Sequence, residues 1–316
     1  MNMNDDQTSM SISFKELGDI LLDEDKILEI DYIEIAFPIE GLQHEPEVEW
    51  KQGPPPEARY GRWTTWLPLN PEWRKAGARF TAHIGSSKRH CVLGFNPSTV
   101  LHGPSSGRMA SLDEALGLLA AIYEDVVTKQ VETVIPLEKC SLTRIDVAMD
   151  VAGINNPERL YRWAQSHPHN SQAKYSYWSK TGKPTGISSL PVSGGLRIYP
   201  KSVNPPMMRF EAQARKTICE QFCPTVGELT NIAMRKVFNK YFSRLGESLL
   251  YANEDAMAEV LMKDEYQTVL RTCLGESVLI ANGYLSHRTI NTSARRELQR
   301  MGVIDQIDHW VAEHWR

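Results

Sequence analysis

The spacing of apolar and polar side chains predicts a chain that begins as sheet and ends as helix. In ILEIDYIEIAF, from residue 27, Leu28, Ile30 and Tyr32 alternate with Glu29 and Asp31, so a strand here has one apolar face. A loop rich in Pro and Glu follows, through Pro54, Pro55 and Pro56. Strand patterns then recur at 62–67, 79–84 and 90–95, punctuated by Gly, Ser and Pro. A helix is predicted over 111–130, where Ser111 and Glu114 form a capping-box pair and Leu116, Leu119, Ala120, Tyr123 and Val127 share a stripe. A strand over 142–151, a helix over 156–166, a turn-rich stretch and strands at 195–199 and 207–215 complete this part. After Cys223-Pro224 only helical patterns remain, at 226–251 and 254–274. Residues 1–26 are polar and acidic with a weak helical repeat, which suggests a mobile or loosely docked extension. The expected organisation is an acidic extension (1–26), an α+β domain (27–222) and an all-helical domain (223–316).

Alternation also assigns faces within three of the strands. Thr143, Ile145, Val147, Met149 and Val151 lie on one side of their strand, with Arg144, Asp146, Ala148 and Asp150 on the other. Leu196 and Ile198 oppose Arg197, Tyr199 and Lys201; Met208, Phe210, Ala212 and Ala214 oppose Arg209, Glu211, Gln213 and Arg215. If the strands are neighbours, one sheet face gathers carboxylates, a tyrosine, a lysine and several arginines. Such a face is commonly a solvated surface held by weak cross-strand pairs. It is also a chemical constellation, because Asp146 and Glu211 are the hard oxygen donors that Mg²⁺ or Mn²⁺ prefers and a tyrosine among cations has its phenolate stabilised.

Charge sharpens the picture. The 316 residues carry 35 Lys and Arg against 39 Asp and Glu, net −4, which taken whole argues against a polyanion binder. The first 60 residues hold 15 acidic and 4 basic side chains, net −11, leaving net +7 for the remainder. Residues 171–216 alone carry 8 Lys and Arg with Glu211 as the one carboxylate. That asymmetry points to nucleic acid beside an acidic flank. Five cysteines without a second Cys or His pair at zinc spacing fit reduced thiols. No apolar run is long enough for a bilayer and the start lacks a signal-peptide pattern, so a cytoplasmic protein with no membrane partner is expected.

The segments LTRIDVAMD (142–150), LRIYPKS (196–202) and RFEAQARK (209–216), in that order, resemble the replication initiators of rolling-circle plasmids and filamentous phages, of the phage gene II/gene X type and the plasmid Rep-trans group. LGFNPSTVLHG (93–103) and GYLSHRTINTSARRELQRMGV (283–303) are similar to flanking segments of the same proteins. The resemblance implies an antiparallel-sheet nuclease domain of the Rep type (HUH-like, degenerate) followed by a helical domain. It implies a site-specific nickase that joins a tyrosine to the 5′ phosphate of origin DNA and frees a 3′-OH. Tyr199 would be the nucleophile with Lys201 as its helper; Asp146 and Glu211, with Asp150 as a third ligand, would hold Mg²⁺ or Mn²⁺. Arg144, Arg197, Arg209, Arg215, Lys174 and Lys180 would contact DNA. Expected partners are double- and single-stranded origin DNA, a host helicase and a polymerase, with a homodimer as one assembly.

Other residues compete. His167 and His169 are alternative metal ligands, although Pro168 and the preceding helix pattern favour a loop. Tyr175 and Tyr177, in KYSYWSK, are backup nucleophiles, a support for single-stranded DNA, or the exposed aromatics of an edge hairpin. A helix from Arg288 to Met301, capped by Ser286 and carrying Arg295 and Arg296, follows a short helix across Asn282-Gly283 in helix-turn-helix outline. The rival functions are a conjugative relaxase, a non-catalytic DNA-binding regulator and a metal nuclease in which water attacks.

Overall fold

A computed structural model of the chain describes residues 12–42, 89–103, 108–124, 135–154, 156–167, 173–179, 184–203 and 206–250, the short segments 51–52, 62–66, 79–84, 131–132 and 169–170, and scattered positions from 272 to 311. Its strands are β1 (Glu29–Pro38), β2 (Gly41–Leu42), β3 (Lys51–Gln52), β4 (Arg62–Trp66), β5 (Arg79–Ile84), β6 (Arg89–Phe95), β7 (Val131–Glu132), β8 (Ser141–Ala152), β9 (Ser176–Ser179), β10 (Pro184–Ser189), β11 (Gly194–Val203) and β12 (Pro206–Arg215). Its helices are α1 (Phe14–Leu22), α2 (Pro97–His102), α3 (Leu112–Ile122), α4 (Pro157–Ser166), α5 (Lys216–Phe222) and α6 (Asn231–Leu250). The class is α+β, as the apolar patterning implied.

One antiparallel sheet runs in the order β3-β4-β5-β6-β1-β8-β12-β11-β10-β9, with β2 and β7 paired separately. The three strands with split faces are therefore consecutive neighbours, β8-β12-β11. Their apolar sides, with Ile145, Val147, Phe210, Ala212, Leu196 and Ile198 all buried, form the floor of the core. Burying such side chains is worth about 1.5–3 kcal/mol each, so the sheet cannot present its faces the other way round.

A helical layer closes that floor. Phe242 of α6 meets Phe210 edge-on at 5.8 Å and stacks on Phe238 at 4.6 Å. The linker before α6 is tied to β8, with Leu142 N–H donating to the Pro224 carbonyl and Val226 N–H to that of Cys140. The boundary expected near residue 222 is thus no break in packing: α6 belongs to the sheet's own core. Most of 251–316, including Arg288, Arg295, Arg296 and the helix-turn-helix outline, lies outside the described residues.

The acidic N-terminal segment differs from its expectation in the same way. Ser13 and Glu16 make a reciprocal capping box, and Phe14, Leu17 and Leu21 of α1 are buried. A Cβ on Gly18 would stand 2.8 Å from the Gly246 carbonyl, so glycine at this crossing lets α1 lie directly on α6. The weak helical repeat was a docking face.

Candidate active site on the polar sheet face

The opposite sides of β8, β12 and β11 bring the predicted residues together. Across β8 and β12, Asp146 pairs with Gln213, Ala148 with Glu211 and Asp150 with Arg209; across β12 and β11, Glu211 pairs with Arg197 and Arg209 with Tyr199. A bulge in β1 between Ile30 and Tyr32 corrects the simple alternation read there. It carries Tyr32 opposite Asp146 onto the polar face, where the Arg144 guanidinium lies 4.3 Å from the Tyr32 ring centroid.

Three linked clusters result. Arg144 donates from Nε to Asp146 Oδ1 at 2.9 Å and from Nη2 to Oδ2, and Gln213 Nε2 adds a 3.2 Å bond to Oδ2. In the middle, Arg197 Nη1 donates to Glu211 Oε1 at 2.9 Å, and the Tyr199 hydroxyl donates to Glu211 Oε2 at 2.9 Å. At the far end, Arg209 donates from Nε and Nη2 to both oxygens of Asp150 and from Nη1 to Asp31 Oδ1, each at 2.8 Å.

Burial governs the electrostatics. Asp146 and Glu211 are 1% and 0% exposed. Desolvation, then the neighbouring charge of Asp146, pushes Glu211 up to about 7 despite Arg197. Asp146 is raised as well, by burial first, against the pull of Arg144. Tyr199 moves opposite to the expected direction: burial, followed by the charges of Glu211 and Asp31, raises its pKa, so it rests as a phenol. Lys201 sits exposed in a bulge of β11 after Pro200, and the charges that most affect Tyr199 are those of Glu211, Asp31 and Arg209. Pro200 does not end the strand; the pairing of β11 with β10 stops at Ile198, so the missing N–H falls where β11 has one partner.

Two further expectations change. Arg209, expected to grip DNA, is 0% exposed, and its guanidinium is committed to Asp150 and Asp31. Asp150, expected as a third metal ligand, is held bidentately by that arginine and belongs to a separate cluster. Arg144 and Arg197 keep about a quarter of their side chains in solvent, and Arg215 and Lys174 are exposed. Lys180 lies outside the described residues.

Asp146 and Glu211 match the donor chemistry of a hard divalent ion. The donors fit in kind, while Arg144 and Arg197 hold those oxygens here. Among the described residues, no group of three or more His, Cys, Asp or Glu side chains is arranged to hold a metal ion.

The competing residues lie elsewhere. Tyr177 pairs with Ile187 and donates to Gln165 Oε1 at 2.6 Å, on the helix-covered side, and Tyr175 stands edge-on to His169. The histidines are not paired around one point: His167 stacks on Trp163 at 4.2 Å, whereas His169 meets Tyr241 at 5.3 Å. Burial pushes both down to about 4. An unfolded histidine titrates near 6.5, so between about 6.5 and 4 the unfolded chain binds more protons and each histidine costs roughly 1.4 kcal/mol of stability per pH unit as pH falls. His169→Phe, measured by urea unfolding, is expected to gain stability relative to the parent across that window; a constant difference would contradict this.

Sequence reasoning did not single out Asp31, Tyr32, Gln213 or Trp178 as parts of the site. Gln213 and Asp31 were legible, since Gln213 alternates with Glu211 and Asp31 with the buried Ile30; Tyr32 depends on a bulge that no residue type announces. No protein-family model matches the chain, and no curated protein matches it.

Proposed function

We propose that the chain is a metal-dependent, tyrosine-using DNA nickase and strand transferase of the rolling-circle initiator kind, its antiparallel sheet serving as a Rep-type nuclease domain. One observation carries the reading: the Tyr199 hydroxyl, on the polar face between arginines, donates to a buried carboxylate whose proton affinity lies near neutral pH. A general base must reach the proton it removes, and Glu211 Oε2 accepts from the Tyr199 hydroxyl at 2.9 Å.

The chemistry follows from the chain's own groups. Tyr199 Oη attacks the scissile phosphorus while its proton passes to Glu211 Oε2. The P–O3′ bond breaks, leaving a 5′-phosphotyrosyl diester, and the departing 3′ oxygen takes up a proton to become the free 3′-OH. Arg197 and Arg144 place guanidinium charge beside the phosphoryl oxygens. A divalent ion held by Asp146 and Glu211 would supply Lewis-acid polarisation of the phosphate. Reversal by another 3′-OH closes the strand.

Flanking phosphates have a place to bind. Arg144 and Arg215 face each other directly across β8 and β12, an arrangement of like charges that is unfavourable alone. With Lys216, Thr217, Thr143 and the single carboxylate Glu34 they line an open pocket of about 390 Å³. Removing Arg215 and Lys216 together is expected to lower the slope of log K against log salt for single-stranded DNA by about 0.7 for each phosphate no longer held. An unchanged slope would mean that the pocket is not on the DNA path.

A second reading has its own support. Every carboxylate oxygen of Asp146, Glu211 and Asp150 already accepts from a protein donor, as in a non-catalytic DNA-binding module. Incubation with labelled single-stranded origin DNA and Mn²⁺ separates the two. The nickase gives a denaturation-resistant adduct, lost in Asp146→Ala while DNA binding persists. The module gives binding alone, and cleavage without an adduct indicates attack by water.

A further inference from the structure

We infer that Trp178 is a stacking platform for a nucleobase of single-stranded DNA, next to the phosphate that Tyr199 attacks. The inference rests on reading the polar face as a DNA-handling surface. Trp178 lies on β9 at the sheet edge and is among the exposed large apolar side chains, at 36%. A lone exposed apolar residue is ordinary, but this one is held in place from three sides.

The first constraint is a gap. Trp178 pairs with Gly186 on β10, where a Cβ would come within 2.8 Å of the indole Cε3 and 3.0 Å of Tyr199 Cβ. The missing side chain lets the indole lean across β10 onto β11. The second is Tyr199 itself, whose ring centroid lies 5.3 Å from the indole at a 40° tilt. The third is a hydrogen bond of 3.2 Å from the indole Nε1 to Ser188 Oγ. A ring fixed in this way has already lost its rotamer freedom, so a flat ligand meets a preformed surface.

The neighbourhood selects the ligand. Ser188 pairs with Arg197 across β10 and β11, and Lys174 stands exposed in the chain leading into β9. An aromatic face beside cations suits a base carried on a phosphodiester backbone. A single ring is far too small to anchor a protein interface.

The test uses the full chain without metal and compares oligothymidylate with an abasic oligonucleotide of the same length and charge, by fluorescence anisotropy. The parent protein is expected to prefer oligothymidylate by about 5- to 150-fold, the range for stacking one base. Trp178→Ala should erase that preference while leaving abasic affinity in place, Trp178→Phe should retain most of it, and Gly186→Ala should weaken it by displacing the ring. No preference in the parent, a preference that survives Trp178→Ala, or no binding of either polymer overturns the inference. A parent that forms the adduct but shows no Trp178-dependent preference overturns the stacking alone. A Trp178-dependent preference without any adduct upholds the stacking and removes the nickase reading.

Discussion

On the proposed nickase mechanism, Tyr199→Phe is expected to reduce nicking by about 10⁴-fold or more and to abolish the covalent adduct, because the substitution deletes the oxygen proposed to attack and little else. Binding of single-stranded DNA should persist, since Phe keeps the ring against Trp178 at β11. Folding should be modestly weakened: Glu211 Oε2 loses its donor inside a residue that is 0% exposed, a loss of about 1–3 kcal/mol. Rate assays, anisotropy and urea unfolding together separate these effects. An adduct that persists in Tyr199→Phe removes Tyr199 from the role. Tyr177 is no ready substitute, because its hydroxyl is bonded to Gln165 on the helix-covered side.

Arg209→Ala should destabilise the fold by about 3–5 kcal/mol, the cost of leaving buried charges without a partner. Arg209 donates to three carboxylate oxygens of Asp150 and Asp31, and its own burial is offset first by the Asp150 hydrogen bonds and then by the two negative charges, which raise its pKa. Combining Arg209→Met with Asp150→Asn and Asp31→Asn should recover much of the loss, because the orphaned charges leave with it. An exposed phosphate-gripping arginine would behave otherwise: its removal would change stability by about 0.5 kcal/mol or less and weaken DNA binding. Equilibrium unfolding in urea distinguishes the two outcomes.

The contrast between Arg209 and Glu211 shows what was readable in the sequence. Period-two alternation placed Arg144, Asp146, Arg197, Tyr199, Arg209 and Glu211 on one face because each strand also buries an apolar face, which fixes register. Alternation fixes the side of a residue and is silent about its depth. It could not say that Arg209 sinks to full burial while Arg215, further along the same strand, stays exposed. Nor could it say that the Tyr199 hydroxyl is bonded to a carboxylate, since Tyr199 directly opposes Arg209 and reaches Glu211 only diagonally across the β11-β12 hairpin, whose cross-strand pairing alternation does not set.

The edge hairpin β9-β10 was legible only as one alternative for KYSYWSK, for a different reason. Ser176, Ser179, Gly186, Ser188 and Ser189 carry little hydrophobic signal, and the strands are recognisable chiefly through their pairing. The docking of α1 shows the same limit, because a helix beside an acidic segment looks solvated until the glycine crossing at Gly18 and Gly246 is seen. The bulk charge balance has a similar limit, since net −4 averages an acidic first 60 residues, net −11, with a remainder of net +7.

The site of covalent attachment tests the nickase reading most directly. The protein is incubated with labelled single-stranded origin DNA and Mn²⁺, the adduct is digested with protease and nuclease, and the residual nucleotide is located by mass spectrometry. The added mass is expected on the peptide containing Tyr199. A nucleotide on the peptide containing Tyr175 and Tyr177, or cleavage with no modified peptide, would contradict that reading.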